Sequence, residues 1–211
     1  MDFRAYLALG DSISIDDYTG VPGGGAAKQF ARLIGAESFQ DLTEDGCTTS
    51  RVICAIARVQ TKPDIVTLTA GGNDLLASCL LRGEAESTGT CQNITDEIAL
   101  SLEAIARLLE QYSCPVIVST IYDPSDGDDA ILGAMGIPAD FRATYNAVNE
   151  SIRQMASEHG FLVSDLEQLF RGHGSDSSDP WITLQIEPNY AGATAIARYW
   201  HELLARHVGI K

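Results

Sequence analysis

Five short apolar runs that alternate with amphipathic stretches constrain this chain more than any other feature of its sequence. The first run covers 5–9 and stops at Gly10, the third covers 64–69 and stops at Ala70-Gly71-Gly72, and the fourth and fifth cover 115–120 and 160–164. A weaker second run spans 38–42. Continuous apolar runs of this length read as strands covered on both faces. Residues 26–34, 49–59, 95–112 and 140–159 repeat apolar side chains at helical spacing, and a last helix is expected from about Asn189 to His207. Such alternation implies a parallel sheet with helices on both sides. With 211 residues and no repeat, linker or low-complexity block, one domain over 1–211 is expected.

The intervening segments read as loops: 18–25 for its Gly and Pro, 82–93 for its polarity, 123–129 for its Asp and Gly, and 172–180. A net charge of -15 leaves few cations for a phosphate backbone, which excludes nucleic acid as a partner. It also disfavours an anionic membrane surface. The apolar run after Met1-Asp2-Phe3-Arg4 is too short for a signal-peptide core or a membrane span, so a cytoplasmic protein is expected. The five cysteines form no C-x-x-C pair and suit a reducing compartment. Cys79 and Cys91 flank a polar stretch and would be the pair to bridge on oxidation. No metal or cofactor is implied.

Ligands of an open parallel sheet bind beyond the carboxyl ends of its strands. Gly10-Asp11-Ser12 follows the first strand, Asp45-Gly46-Cys47 the second, Gly71-Gly72-Asn73-Asp74 the third and Tyr122-Asp123 the fourth. Acyl transfer needs a serine exposed on a tight turn, which Gly10 permits. It also needs donors aimed at the oxyanion, which the Ser12 and Gly46 N–H groups and the Asn73 amide can supply. Asp11 suits an anchor for the turn. Asp74 braces Asn73 or caps the next helix, the cap being the plainer reading. Tyr122 and Trp181 line a substrate pocket or pack at the sheet edge. Pro22-Gly23-Gly24-Gly25 hints at an anion site, but it lacks a phosphate-loop pattern and reads as a flexible rim. The acidic loop around Asp123 reads as solvated.

Gly10-Asp11-Ser12, Gly46 and Gly71-Gly72-Asn73-Asp74, in that order, resemble the first three sequence blocks of the SGNH/GDSL hydrolases. The resemblance implies a flavodoxin-like three-layer α/β/α sandwich with a five-stranded parallel sheet, and hydrolysis of a small-molecule carboxylic ester. It implies Ser12 as nucleophile, with Ser12, Gly46 and Asn73 forming the oxyanion hole. One block departs from the pattern. The family carries Asp-x-x-His-Pro before its last helix, and here Leu184-Gln185-Ile186-Glu187-Pro188 stands in its place.

The general base is therefore the open position. A carboxylate of ordinary pKa is a weak match for a serine hydroxyl. Of the four histidines, His159 suits a helix end, and His201 and His207 fall in the last helix. His173 sits between two glycines just before the segment that holds Glu187. The leading expectation is that His173 takes the Ser12 proton and Glu187, or else Asp176 or Asp179, orients it. Glu187 acting directly or through water is the other arrangement. The function expected is a serine esterase working through an acyl-enzyme on Ser12. Its rival is a non-catalytic binding protein that kept the oxyanion cradle and lost the base.

Overall fold

The computed structural model describes residues 3–80, 89–138 and 141–209, with side chains described for all of these except 79, 80 and 89–92. Five parallel strands lie in the order β2-β1-β3-β4-β5, with β1 at Ala5–Gly10, β2 at Ser38–Thr43, β3 at Ile65–Thr69, β4 at Val116–Ser119 and β5 at Leu162–Ser164. This is the flavodoxin-like order. The helices are α1 (Ala26–Leu33), α2 (Thr49–Ile56), α3 (Gly72–Leu80), α4 (Gly89–Glu110), α5 (Asp129–Ala134), α6 (Phe141–His159), α7 (Leu166–Leu169) and α8 (Tyr190–His207). A two-stranded hairpin, β6 (Ile182–Thr183) with β7 (Glu187–Pro188), precedes α8.

Period-two alternation divides the core. Leu7, Leu9, Val66, Leu68, Val116 and Val118 meet α2, α4 and α6 on one face. Tyr6, Ala8, Ile65 and Ile117 meet α1 and α8 on the other. On that second face Phe30 packs edge-on against both Tyr6 and Trp200, at 5.1 and 5.8 Å. The fully buried Trp200 donates its indole N–H to Ser119 Oγ at 3.2 Å, which satisfies its one polar atom and fixes α8 over β4. β2 is the exposed edge, which is why its run is the weakest of the five.

Some expected boundaries move. The helix expected over 95–112 begins at Gly89, so the C-terminal part of the expected 82–93 loop is helical, while 82–88 lie outside the described residues. The helix expected over 49–59 stops at Ile56. The Cys79–Cys91 pairing also lies outside the described residues. The glycine-rich segment at 22–25 is not a loose rim. The Asp16 carboxylate accepts the Gly23 and Gly25 N–H groups at 2.8 Å each, so an internal anion occupies the amides that an external one would use. The Asp123 carboxylate is likewise engaged, by Ser125, Gly127 and the Arg142 guanidinium.

His159 closes the bottom of the helix layer. It pairs with Glu103 through Nε2 and with Glu110 through Nδ1, both at 2.8 Å, and so ties α6 to α4. The Glu103 hydrogen bond, supported by Glu110 and opposed by partial burial, raises the imidazole pKa above its ordinary value. A raised histidine stabilises the fold fully below its unfolded pKa of about 6.5 and loses that contribution as pH rises through the folded value. His159→Ala is therefore expected to lower urea-unfolding stability by about 0.5–1 kcal/mol at about pH 6, and by much less at about pH 9.

Candidate active site

Gly10 ends β1 at φ +128, directly beside Thr69 of β3. A Cβ there would lie 2.0 Å from the Thr69 carbonyl oxygen, so no residue with a side chain fits. The chain then turns into a 3-10 segment over Ser12–Ser14. Thr69 Oγ1 accepts the Asp11 N–H at 3.1 Å and lies 3.3 Å from Ser14 Oγ. Asp11 caps the turn by accepting the Ile13 N–H at 3.3 Å, as expected for a turn anchor. Its side chain is wholly buried, and burial is the main cause that lifts its pKa to about 6.

The β2–α2 loop is hooked to the same turn. The Glu44 N–H donates to the Gly10 carbonyl at 2.9 Å, and Gly46 takes a left-handed φ of +65. Asn73, in the first turn of α3, donates its amide to the Cys47 carbonyl at 3.1 Å. Among the described residues, the Ser12 and Gly46 N–H groups have no hydrogen-bond acceptor. Asp74 does not cap its own helix. It reaches back to α2, accepting the Thr49 N–H at 2.9 Å and the Thr49 hydroxyl at 2.7 Å. Thr48, at the N-cap of α2, makes no side-chain cap of its own, so Asp74 supplies it from across the site.

Glu187 enters from the hairpin. Ser12 Oγ donates to Glu187 Oε1 at 3.2 Å, so Glu187 meets the serine directly. Glu187 is 8% exposed, and its pKa is pushed up to about 7, chiefly by burial and further by the charges of Asp45 and Asp11. The hairpin is held from below. The Tyr122 hydroxyl donates to the Ile186 carbonyl, and the Tyr122 ring stacks on Phe170 at 4.1 Å. Two residues of the hairpin loop, Leu184 and Gln185, sit at left-handed φ of 44 and 73, a conformation that costs non-glycine residues energy. The Leu184 side chain is 70% exposed and stands apart from the buried pair.

His173 is not brought to Ser12. Its ring lies flat on Trp181 at 3.6 Å, and its Nδ1 meets the Asp179 carbonyl at 2.9 Å, with the Asp179 carboxylate 3.4 Å away. Asp179 does meet His173, but outside the expected arrangement with Ser12. The physical reason is the aromatic stack. Trp181 packs edge-on against Phe170 on one side and carries His173 on the other, which takes both rings out of the pocket. Trp181 therefore does not line the cavity beside Ser12, whereas Tyr122 does. A small open cavity of about 60 Å³ lies between Asp11, Ser12, Asn73 and Glu187 at its polar end and side chains of α3, α6 and the β4–α5 segment elsewhere. Among the described residues no group of three His, Cys, Asp or Glu is arranged to hold a metal, and no helix is long and apolar enough to cross a membrane.

The Asp74 bridge yields a stability test. Asp74→Ala is expected to cost about 1–2 kcal/mol in denaturant unfolding, because it removes the cap of α2. It is also expected to slow any Ser12-dependent turnover several-fold, since the Gly46 loop loses its tether.

With this geometry in place, comparison with known proteins gives a consistent result. The sequence model of the GDSL-like Lipase/Acylhydrolase family matches residues 8–195. A lipase from Streptomyces rimosus is 28% identical over 223 residues, spanning 88% of this chain and 79% of that protein. Among solved structures, phospholipase A1 from Streptomyces albidoflavus superposes with a TM-score of 0.69 at 21% identity, covering 97% of this chain and 99% of that one. An acetylxylan esterase from Geobacillus stearothermophilus gives a TM-score of 0.69 at 17% identity, covering 97% and 96%. At these identities the two structures bear on the fold.

Proposed function

This chain belongs to the GDSL-like lipase/acylhydrolase family, and on that premise we propose that it hydrolyses carboxylic esters with a Ser12–Glu187 dyad. The observation that carries the reading is the buried 3.2 Å hydrogen bond from Ser12 Oγ to Glu187 Oε1. A carboxylate of ordinary pKa would hold the serine proton poorly. One raised to about 7 approaches the strength at which a general base works best near neutral pH.

In this reading Ser12 Oγ attacks the ester carbonyl carbon while its proton passes to Glu187 Oε1. The carbonyl oxygen becomes an oxyanion and accepts from the Ser12 N–H, the Gly46 N–H and the second amide hydrogen of Asn73, whose first is held by the Cys47 carbonyl. The carbon–oxygen bond to the alcohol then breaks, and Glu187 returns its proton to the leaving oxygen. Water attacks the acyl-enzyme and gives its proton to Glu187. Collapse releases the acid and restores the proton to Ser12 Oγ. Asp11 touches no reacting atom. It holds the turn, and its charge helps keep the Glu187 pKa high.

Hydrolysis of a chromogenic ester and labelling by a fluorophosphonate test the reading together. Ser12→Ala is expected to abolish both, and Glu187→Gln to reduce kcat by about 10²–10⁴. His173→Ala is expected to stay within several-fold of the parent, because its ring contacts are with Trp181. A dead His173→Ala with an active Glu187→Gln would reverse the assignment. A parent chain that neither hydrolyses nor labels across a broad pH range would instead favour the binding protein.

The pH dependence follows from the same carboxyl. Only ionised Glu187 accepts the proton, so kcat/KM is expected to rise through about pH 7 and to fall about tenfold per pH unit well below it. The sign for stability is opposite. Glu187 has a folded pKa above its unfolded value, so its ionisation destabilises the fold, and stability falls as pH rises from about 4.3 towards 7. Glu187→Gln is accordingly expected to raise Tm at about pH 8 while it removes activity.

A further inference from the structure

We infer that Tyr122 is a positioning residue for the hydrolysis: its hydroxyl holds the Ile186 carbonyl and thereby fixes how deeply Glu187 sits against Ser12. The inference rests on the Ser12–Glu187 reading and deepens it, by assigning what keeps the base in register.

The hairpin cannot do this alone. It has only two residue pairs, Ile182 with Pro188 and Thr183 with Glu187, and Pro188 has no N–H to give to the ladder. A two-stranded ribbon that short is not stable by itself. The left-handed backbone of Leu184 and Gln185 adds strain to its loop. Glu187 is instead gripped on both sides along the chain. After it, the Asn189 N–H donates to the Trp181 carbonyl at 2.9 Å, and the Asn189 amide donates to the Pro180 carbonyl at 2.7 Å. Both of those bonds close within residues 180–189. Before it, the Tyr122 hydroxyl donates to the Ile186 carbonyl. That bond ties the neighbour of Glu187 to the segment just after β4, and so to the sheet that carries Ser12.

Tyr122 is itself immobilised. It is buried, its ring stacks on Phe170 at 4.1 Å, and Phe170 meets Trp181 edge-on at 5.6 Å. Gly192 lets α8 close over that pair. A Cβ there would lie 2.5 Å from the Trp181 carbonyl oxygen and 3.3 Å from the Phe170 ring. Tyr122 lines the cavity beside Ser12, but its hydroxyl has one hydrogen and Ile186 takes it. None is left for an oxyanion or a leaving group. Burial holds the phenol pKa well above its ordinary value, so Tyr122 is no base either. What remains is placement.

The titratable groups that bear on Glu187 are Asp11 and Asp45, together with Tyr122 and with Tyr18, whose hydroxyl donates to Asp45 at 2.9 Å. All are acids, and removal of the Tyr122 hydroxyl leaves both carboxylates in place. Once loosened, Glu187 gains water, and its pKa falls from about 7 toward the ordinary carboxylate value.

Tyr122→Phe keeps the ring and removes the bond. On the full chain with a p-nitrophenyl ester, it is expected to lower kcat about tenfold at about pH 8, with KM within about twofold of the parent. The acid limb of kcat/KM is expected to move about one pH unit lower, so the gap to the parent narrows as pH falls. In a Glu187→Gln background the same change is expected to cost less than about twofold, because the group it acts through is gone. Tyr6→Phe removes another buried hydroxyl, bonded to Thr67 Oγ1 at 2.6 Å, and is expected to leave the limb where it is. A Tyr122→Phe rate within about twofold of the parent, or an equal loss at every pH and in both backgrounds, overturns the inference. Should Tyr122→Phe fail to fold, Phe170→Leu, which loosens the ring and keeps the hydroxyl, is expected to move the limb in the same direction, and an unmoved limb there overturns the inference. A parent that neither hydrolyses nor takes the fluorophosphonate label, or a Glu187→Gln variant as active as the parent, overturns the dyad and the positioning role with it.

Discussion

The close approach of Gly10 to Thr69 governs the rest of the site. Parallel strands carry side chains alternately up and down, and a strand end that must turn sharply beside its neighbour has no room for a Cβ. Gly10 meets that demand, with Thr69 oxygen where its side chain would be. The same Thr69 then supplies Oγ1 to the Asp11 N–H. The Gly10 carbonyl, left free by the turn, accepts Glu44 N–H and draws the Gly46 loop alongside. One glycine therefore sets the position of Ser12 and, through its carbonyl, of the Gly46 loop.

What could be read before folding follows from how far apart the interacting residues are. Strands β1, β3 and β4 announced themselves because continuous burial on both faces leaves an unbroken apolar run, whereas the exposed edge strand β2 left only a weak one. Ser12, Gly46 and Asn73 were legible because each sits just after a strand, where the fold brings loops together whatever their sequence separation. Helix α3 opens inside a glycine motif and α5 is only six residues long, so neither showed a clear period. The cap from Asp74 to Thr49 spans 25 positions and leaves no local trace. The placement of His173 depends on a ring stack with Trp181, and an isolated histidine between glycines carries no sign of it. Weighing imidazole above carboxylate on intrinsic pKa led to the wrong expectation for which side chain meets Ser12, because burial had not yet been counted.

Burial changes what the Glu187 carboxyl can do beside Ser12. Solvent-exposed glutamate holds a proton too weakly to help a serine hydroxyl. At 8% exposure, with Asp11 and Asp45 near enough to repel it, Glu187 holds one far more tightly. The cost falls on the folded state, which keeps like charges close in a poorly solvated place. Such opposition between stability and chemistry is common where a site must be poised.

Ser12 and Glu187 also belong to separately secured parts. Ser12 is braced by the central strands, whereas Glu187 rides on a hairpin outside the sheet, held by the Tyr122 hydroxyl below and by Asn189 at the start of α8. Its loop carries two residues in left-handed backbone. The hydrogen bond between them is thus a joint across a seam in the molecule. Small departures of the hairpin uncouple the two while every strand stays paired, so warming would silence the site before it melts the fold, and amide exchange in the hairpin would outpace exchange in β1 and β3.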